Sequence, residues 1–305
     1  MLTIFTIPKP FSGHTSIIQS NAIQSWLQLR PACEIILFGD EEGTSEIASR
    51  LETRHVPSIG CNEYGTPLVS SVFSTAQEIA SHEIACYVNA DIIFMSDFSA
   101  AINLIDRKPF FCVGRRWDID IKEMIDFGNT AWDEQLRSQI AKEGKLHGVS
   151  GLDYFIFPCG AYKDMPEFAV GRTAWDNWLL YKARALKLLS IDATRMITTV
   201  HQNHDYSHYS TAEDAKNDLR KGIEARRNYE LLGGMRYAFH IWDTTHILTP
   251  AGLKSAKSVR HLIWRILRYP EMHPNITPIV FIIRCIRSII FKVAALRHIY
   301  NKHKN

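Results

Sequence analysis

Short apolar runs alternate with longer, helically spaced segments through the first two hundred residues. Leu2–Ile7, Glu34–Phe38, Ile84–Val88, Phe110–Gly114, Tyr154–Phe157 and Met196–Val200 are rich in Ile, Val and Phe and read as buried strands. Between them, Ser16–Gln28, Thr44–Leu51, Pro67–Ser81 and Asp97–Ile105 carry helical patterns, and another helix begins near Trp175 and continues to Leu186. Strands alternating with helices predict an α/β fold rather than an all-α or all-β one. Residues 118–148 are polar and mostly helical in pattern, an expected excursion from the sheet. Residues 203–235 are strongly polar, and a segment of that kind is expected to move or to cover a site. No internal repeat or low-complexity linker interrupts the pattern.

Composition sharpens this picture at one end of the chain. With 305 residues, 46% hydrophobic and 22% charged, the chain can bury a large core and is too apolar to be disordered. The net charge of +3 is a cancellation: from Lys254 to Asn305 eleven Lys/Arg face one acid, Glu271, giving +10, while the remainder carries 24 Lys/Arg against 31 acids, giving −7. The sequence therefore divides into a body, 1–250, and a basic amphipathic helical tail, 251–305. Within the tail, Ile276 to Leu296 holds twelve Ile, Val, Leu or Phe but is interrupted by Arg284, Arg287 and Lys292. At about −0.5 kcal/mol per apolar residue and roughly +3 per central cation, full insertion into a bilayer is unfavourable by a few kcal/mol. On a helix these cations and Ser288 share one narrow face, a form suited to the headgroup layer of anionic lipid through 276–297. A terminal helix packed on the body or on a partner chain is the alternative. The tail's cations are interleaved with aliphatic rather than aromatic residues, which favours lipid over nucleic acid.

The six cysteines show no CxxC or paired spacing, and Cys86 and Cys112 sit inside apolar runs, so a reducing compartment is expected. Met1–Ile7 lacks a basic leader and runs at once into Pro8-Lys9-Pro10, reading as a first strand rather than a secretory signal. The sequence has no GxxxxGK[ST] loop, no GxGxxG after its first strand and no GxSxG elbow. A P-loop NTPase, a common dinucleotide oxidoreductase and a serine α/β-hydrolase are disfavoured together.

Chemistry must then come from other clusters. Asp91 follows the apolar strand Ile84–Val88 through Asn89-Ala90 and precedes Ile-Ile-Phe, so its carboxylate stands at a buried margin. An acid there needs hydrogen bonds or a cation, and a hard Mg²⁺ or Mn²⁺ fits, as does plain capping of the next helix. Asp40, in the turn after Glu34–Phe38, is placed to meet a base or ribose hydroxyl, or to cap a helix. Val200-His201-Gln202-Asn203-His204-Asp205-Tyr206-Ser207-His208 packs three histidines and one aspartate just past a strand, a candidate metal site. Asp176, between Trp175 and Trp178 at a helix start, is a candidate general base whose pKa burial would raise; the tryptophans could stack on a sugar or simply anchor the core. Gly151, in Gly148-Val149-Ser150-Gly151-Leu152-Asp153, could let backbone approach a ligand or form only a turn. Arg115, Arg116 and Trp117 could touch phosphate or sugar, or form a surface charge cluster.

Taken in order, these features resemble a GT-A-fold nucleotide-sugar glycosyltransferase, close to the bacterial family-2-like group. The matching residues are Thr6 to Phe11 at the end of the first strand, the Asp40 turn, Tyr87-Val88-Asn89-Ala90-Asp91 as a DxD-like element, Gly151-Leu152-Asp153, Trp175-Asp176 at the xED position and His201. The resemblance spans roughly residues 1–250. It implies a Rossmann-like α/β/α sandwich with a mostly parallel central sheet. It also implies that Asp91 holds Mn²⁺ or Mg²⁺ on the donor diphosphate, with His201, or alternatively His204, as a second ligand. Asn89 and Asp40 would meet the ribose and base, with Thr6, Pro8 and Lys9 in the same pocket; Gly151, Asp153 and Trp175 would also bind the nucleotide sugar, and Asp176 would deprotonate an acceptor hydroxyl. Two positions depart from the pattern. Asn89 replaces the first acid of the DxD element, and Trp175 stands where the xED motif has glutamate. If the product keeps the donor's anomeric configuration, Asp176 is not the base.

The implied activity is sugar transfer from a nucleotide donor to a saccharide or lipid-linked acceptor in surface polysaccharide or glycolipid synthesis, in the cytoplasm and at the inner face of the membrane, without nucleic acid as partner. A metal-dependent hydrolase or nucleotidyltransferase built on His201–His208 is the rival expectation.

Overall fold

In a computed structural model the described residues are 2–107, 109–204 and 221–275, with single positions from 280 to 286. Its most apolar runs build the centre. The strands are β1 (Thr3–Thr6), β2 (Glu34–Phe38), β3 (Arg54–Val56), β4 (Ile84–Val88), β5 (Ile92–Phe94), β6 (Phe110–Val113), β7 (Trp117–Ile119), β8 (Lys145–Leu146), β9 (Tyr154–Pro158), β10 (Leu189–Asp192), β11 (Thr199–Gln202), β12 (His246–Thr249) and β13 (Gly252–Ser255). The longer helices among the described residues are α1 (Gly13–Leu27), α2 (Thr44–Arg50), α3 (Val69–Ile79), α4 (Asp97–Asn103), α5 (Trp132–Glu143), α6 (Trp175–Ala185), α7 (Ile223–Leu232) and α8 (Val259–Leu267).

Nine strands form one sheet in the order β13-β12-β10-β6-β9-β4-β1-β2-β3. Pairing is parallel along β4-β1-β2-β3 and along β6-β10-β12, whereas β9 runs antiparallel to both β4 and β6. β1, β4 and β6 are buried throughout, as strands covered on both faces must be. The chain is thus an α/β protein with a mostly parallel central sheet. Because β9 is reversed, its entry, Gly151–Asp153, lies at the same edge as the carboxyl ends of β1, β2, β4 and β6. Ligands gather at that edge in open α/β sheets.

A second sheet, β5-β11-β7-β8, stands beside it, with Ile93, Met95, Ile119, Ile121 and Val200 packed against Leu136 and Ile140 of α5. It draws strands from four distant parts of the chain. The polar excursion 118–148 supplies part of β7, all of α5 and β8 to this layer. One expected strand is displaced: Met196 and Ile197 sit in a turn, their amides donating to Ala193 O at 2.8 and 2.9 Å, and pairing starts at Thr199. β10 precedes that turn and has no counterpart among the expected strands.

The chain divides into two compact units, Met1–Ser255 and Ala256–Asn305; β13 belongs to the first because it pairs antiparallel with β12. In the second, α8 is capped by Ser258, whose hydroxyl accepts from His261 N. Among the described residues no helix is long and apolar enough to cross a membrane. The expected lipid-facing segment 276–297 lies, but for a few positions, outside the described residues, as do Asp205 to His208. None of the six cysteines forms a disulfide.

Candidate active site

The turn from β4 to β5 brings Asp91 out between the two sheets, held by the Ile92 amide donating to Asn89 O at 3.1 Å. β11 pairs with β5 in a register that sets His201 opposite Ile92, carrying His201 and then His204 back over the carboxylate. Asp91 Oδ2 lies 3.5 Å from His201 Nε2 and 3.3 Å from His204 Nε2. One ligand atom from each of the three residues lies within 4.8 Å of the others, and Asp91 Oδ1 is buried without a hydrogen-bond partner. Burial opposes ionisation of Asp91, but the two histidines outweigh it and hold the carboxyl well below its ordinary range. Burial also disfavours a charged His201, yet Asp91 and Asp118 push its pKa up to about 9. One carboxylate and two imidazoles around an unmet oxygen fit a divalent cation of the Mn²⁺ or Mg²⁺ kind, which would take the place of the proton shared there.

Asp118, on β7, supports this centre. Its Oδ1 lies 3.3 Å from His201 Nδ1 and 2.9 Å from Arg116 Nε, and its Oδ2 lies 2.6 Å from His147 Nδ1. A carboxylate beside Nδ1 keeps the proton on that nitrogen and leaves Nε2 for Asp91 and a cation. Burial works against its charge, but its hydrogen bonds to His201, His147 and Arg116 hold Asp118 far below the ordinary aspartate range. Neither Asp118 nor His147 is prominent in a local reading of the sequence. The alternation Trp117-Asp118-Ile119-Asp120-Ile121 carries a period-two signal that marks β7, but nothing in it says which face meets His201.

A cavity of about 950 Å³ opens over this cluster, lined by Asn89, Asp91, Arg116, Asp153, Asp176, His201 and His204 among others. Asn89 donates from Nδ2 to Asp153 Oδ1 at 2.8 Å, and Arg116 pairs with the same oxygen, while Asp153 Oδ2 is buried and without a partner. An unmet buried acceptor beside a cavity calls for a donor. Asp176 sits in the first turn of α6. Burial, reinforced by nearby Asp153, pushes its carboxyl up to about 7 against the backbone amides of Asn177 and Asp176 itself. Ala174, before α6, holds φ 93°, a conformation that L residues rarely adopt and that concentrates at functional sites.

The remaining expected residues fall in different places. Pro8 and Lys9 line the cavity, with the Lys9 backbone pinned by Gln19 through bonds of 2.7 and 2.8 Å. Thr6 is fully buried inside β1, and Asp40 is exposed; neither lines the cavity, whereas Glu41 does. Trp175 touches the cavity but is mostly buried, its ring 5.1 Å from that of Tyr87 and 5.7 Å from Phe155. At Gly151 an added Cβ would collide with the His147 ring, so this glycine makes room for the imidazole that bonds Asp118.

No family model matches the chain, and no curated protein matches it. Solved structures do. Glucosyl-3-phosphoglycerate synthase from Mycobacterium tuberculosis, in complex with Mn²⁺, UDP and phosphoglyceric acid, is 13% identical over 77% of this chain and 79% of its own, with a TM-score of 0.44. TarS from S. aureus is 14% identical over 76% of this chain and 42% of its own, with a TM-score of 0.45. The mannosyltransferase PcManGT from Pyrobaculum calidifontis, in complex with GDP-Man and Mn²⁺, is 13% identical over 72% and 60%, with a TM-score of 0.42. At such identity the site residues of those proteins do not transfer to this chain.

Proposed function

We propose that this chain is a divalent-metal-dependent glycosyltransferase that moves a sugar from a nucleoside-diphosphate donor to an acceptor hydroxyl. The observation that carries this reading is a single cavity holding both a metal-type cluster, Asp91 with His201 and His204, and a carboxyl near neutrality, Asp176. A cation bound there would supply charge compensation for a leaving diphosphate. Asp91, His201 and His204 would hold it, with Asp118 keeping His201 in the matching tautomer.

The chain's own groups then divide the work. Asn89 and Arg116 fix Asp153 Oδ1 at the cavity lining, and its second oxygen, without a partner, is the acceptor offered to a sugar hydroxyl. Asp176 takes the acceptor's hydroxyl proton as the new bond to the anomeric carbon forms and the bond to the diphosphate breaks. Pro8 and Lys9, with Gln19 fixing their loop, line the nucleotide side beside Glu41; Thr6 and Asp40 lie outside the cavity lining. Gly151 and Trp175 shape the wall on the sugar side. The acceptor is a saccharide or lipid-linked hydroxyl, met at the inner face of the membrane with 276–297 on anionic lipid.

Isothermal titration with UDP, GDP and dTDP, each with and without Mn²⁺, tests this. Binding of at least one diphosphate that strengthens with Mn²⁺ is expected. Absence of all binding, with zinc retained through purification, would favour a hydrolase at the same cluster.

A further inference from the structure

Helix α8 is turned the wrong way round for a helix that faces water. Val259, Leu262, Ile263 and Ile266 are exposed at 72%, 43%, 47% and 58%, whereas His261, Leu267 and Arg268 are buried. At ~100° per residue the four aliphatics fall within an arc of about 100°, so they form one continuous stripe rather than scattered surface residues. Arg260 and Arg265 are both exposed and flank that arc about 60° outside it on either side. The Arg265 guanidinium donates to Ala256 O at 3.1 Å, which ties it beside the stripe. Lys254 and Lys257 precede the helix and are exposed as well.

We infer that the Val259-Leu262-Ile263-Ile266 face of α8 docks onto an anionic lipid surface, with Arg260 and Arg265 meeting the headgroups on its two flanks. This inference does not depend on the transferase reading. Charge complementarity selects the partner. Among the described residues around the helix the exposed charges are Lys254, Lys257, Arg260 and Arg265, while the acid Glu271 is buried, so the stripe's borders attract anionic headgroups. A second copy of the chain is the poorer occupant, because a two-fold pairing of identical stripes would bring the like-charged arginine flanks of both copies together. A nucleic acid would call for aromatic faces between the cations, and the stripe offers aliphatic ones. A helix lying in the interface needs an apolar face bordered by cations, which α8 has.

Vesicle flotation of the full chain, without donor or metal, tests this, using phosphatidylcholine alone and phosphatidylcholine mixed with phosphatidylglycerol. The chain is expected to float with the mixed vesicles, and less so in high salt. Ile263→Glu/Ile266→Glu should lower partition onto mixed vesicles more than about tenfold, and Arg260→Glu/Arg265→Glu should do likewise while neutral vesicles show little difference. Both pairs are exposed, and circular dichroism melting checks the fold; Ile263→Ser/Ile266→Ser serves as the milder pair. The inference is overturned if the parent chain does not float, or if the folded stripe variants float as it does. It is equally overturned if light scattering shows a dimer that the stripe variants dissociate, since the stripe would then belong to a second copy. Any of these outcomes leaves the nucleotide titration untouched.

Discussion

The carboxylate of Asp118 accepts from Arg116 Nε and lies 2.6 Å from His147 Nδ1 and 3.3 Å from the far nitrogen of His201. Asp118→Asn removes the charge that fixes the Nδ1 proton, and Mn²⁺ affinity should fall about 10- to 100-fold. Electron paramagnetic resonance of free Mn²⁺ reads this directly; an unchanged dissociation constant would leave Asp118 a purely structural residue. Asp176→Asn should lower transfer by about 10²- to 10⁴-fold while diphosphate binding persists in calorimetry. Since the base must be ionised, kcat/KM should rise through about pH 7. The same group has a stability consequence. Its folded pKa lies above its unfolded value, so the folded state keeps the proton longer and stability falls as pH rises from about 4 to about 7. Asp176→Asn should therefore melt a few degrees higher than the parent at pH 8, about the 2–4 °C that ~1 kcal/mol makes in a large domain, with the gap closing at acidic pH. Asp91, His201 and His204 were legible in the sequence because a carboxylate ending a buried strand and a dense histidine run each break local expectation. Asp118 and His147 were not, since their roles exist only through contacts between residues 29 and 83 positions apart.

Those contacts are made by a small element, the β5-β11-β7-β8 sheet. Its strands are three, four, three and two residues long, too short for periodicity to announce them, and they come from segments whose neighbours in sequence are turns and helices. The central sheet was readable for the opposite reason: buried runs such as Ile84–Val88 have no polar face to confuse them. The strand expected at Met196–Val200 shows the limit, for apolar content there reflects a buried turn as well as a strand. At the joint between the two sheets, Gly151 allows His147 to reach Asp118. Gly151→Ala should destabilise by about 1–3 kcal/mol, as overpacking does, and adding His147→Ala should restore most of the loss. Thermal melts of the single and double variants check this; a double variant no better than the single would place the cost elsewhere. On the far wall, Glu224 of α7 receives Arg172 and Asn62 at 2.7 Å each, anchoring the helix after the polar segment.

Across the whole molecule, the small net charge conceals a body of −7 and a terminal stretch of +10. Three buried or half-buried acids of that body, Asp91, Asp153 and Asp176, line one cavity. A folded site for a divalent cation links binding to stability. At Mn²⁺ near 100 times its dissociation constant the fold should gain about 2.7 kcal/mol, a rise in Tm that EDTA reverses and that Asp91→Asn abolishes. The most direct measurement is donor turnover. The full chain is incubated with a panel of UDP-, GDP- and dTDP-sugars, with Mn²⁺ or with EDTA, and released nucleoside diphosphate is read by mass. At least one donor should be consumed, with Mn²⁺ and not with EDTA, by the parent chain and not by Asp91→Asn. If the folded, Mn²⁺-loaded chain releases diphosphate from none of them, or if Asp91→Asn releases it as fast as the parent, the transferase reading is contradicted.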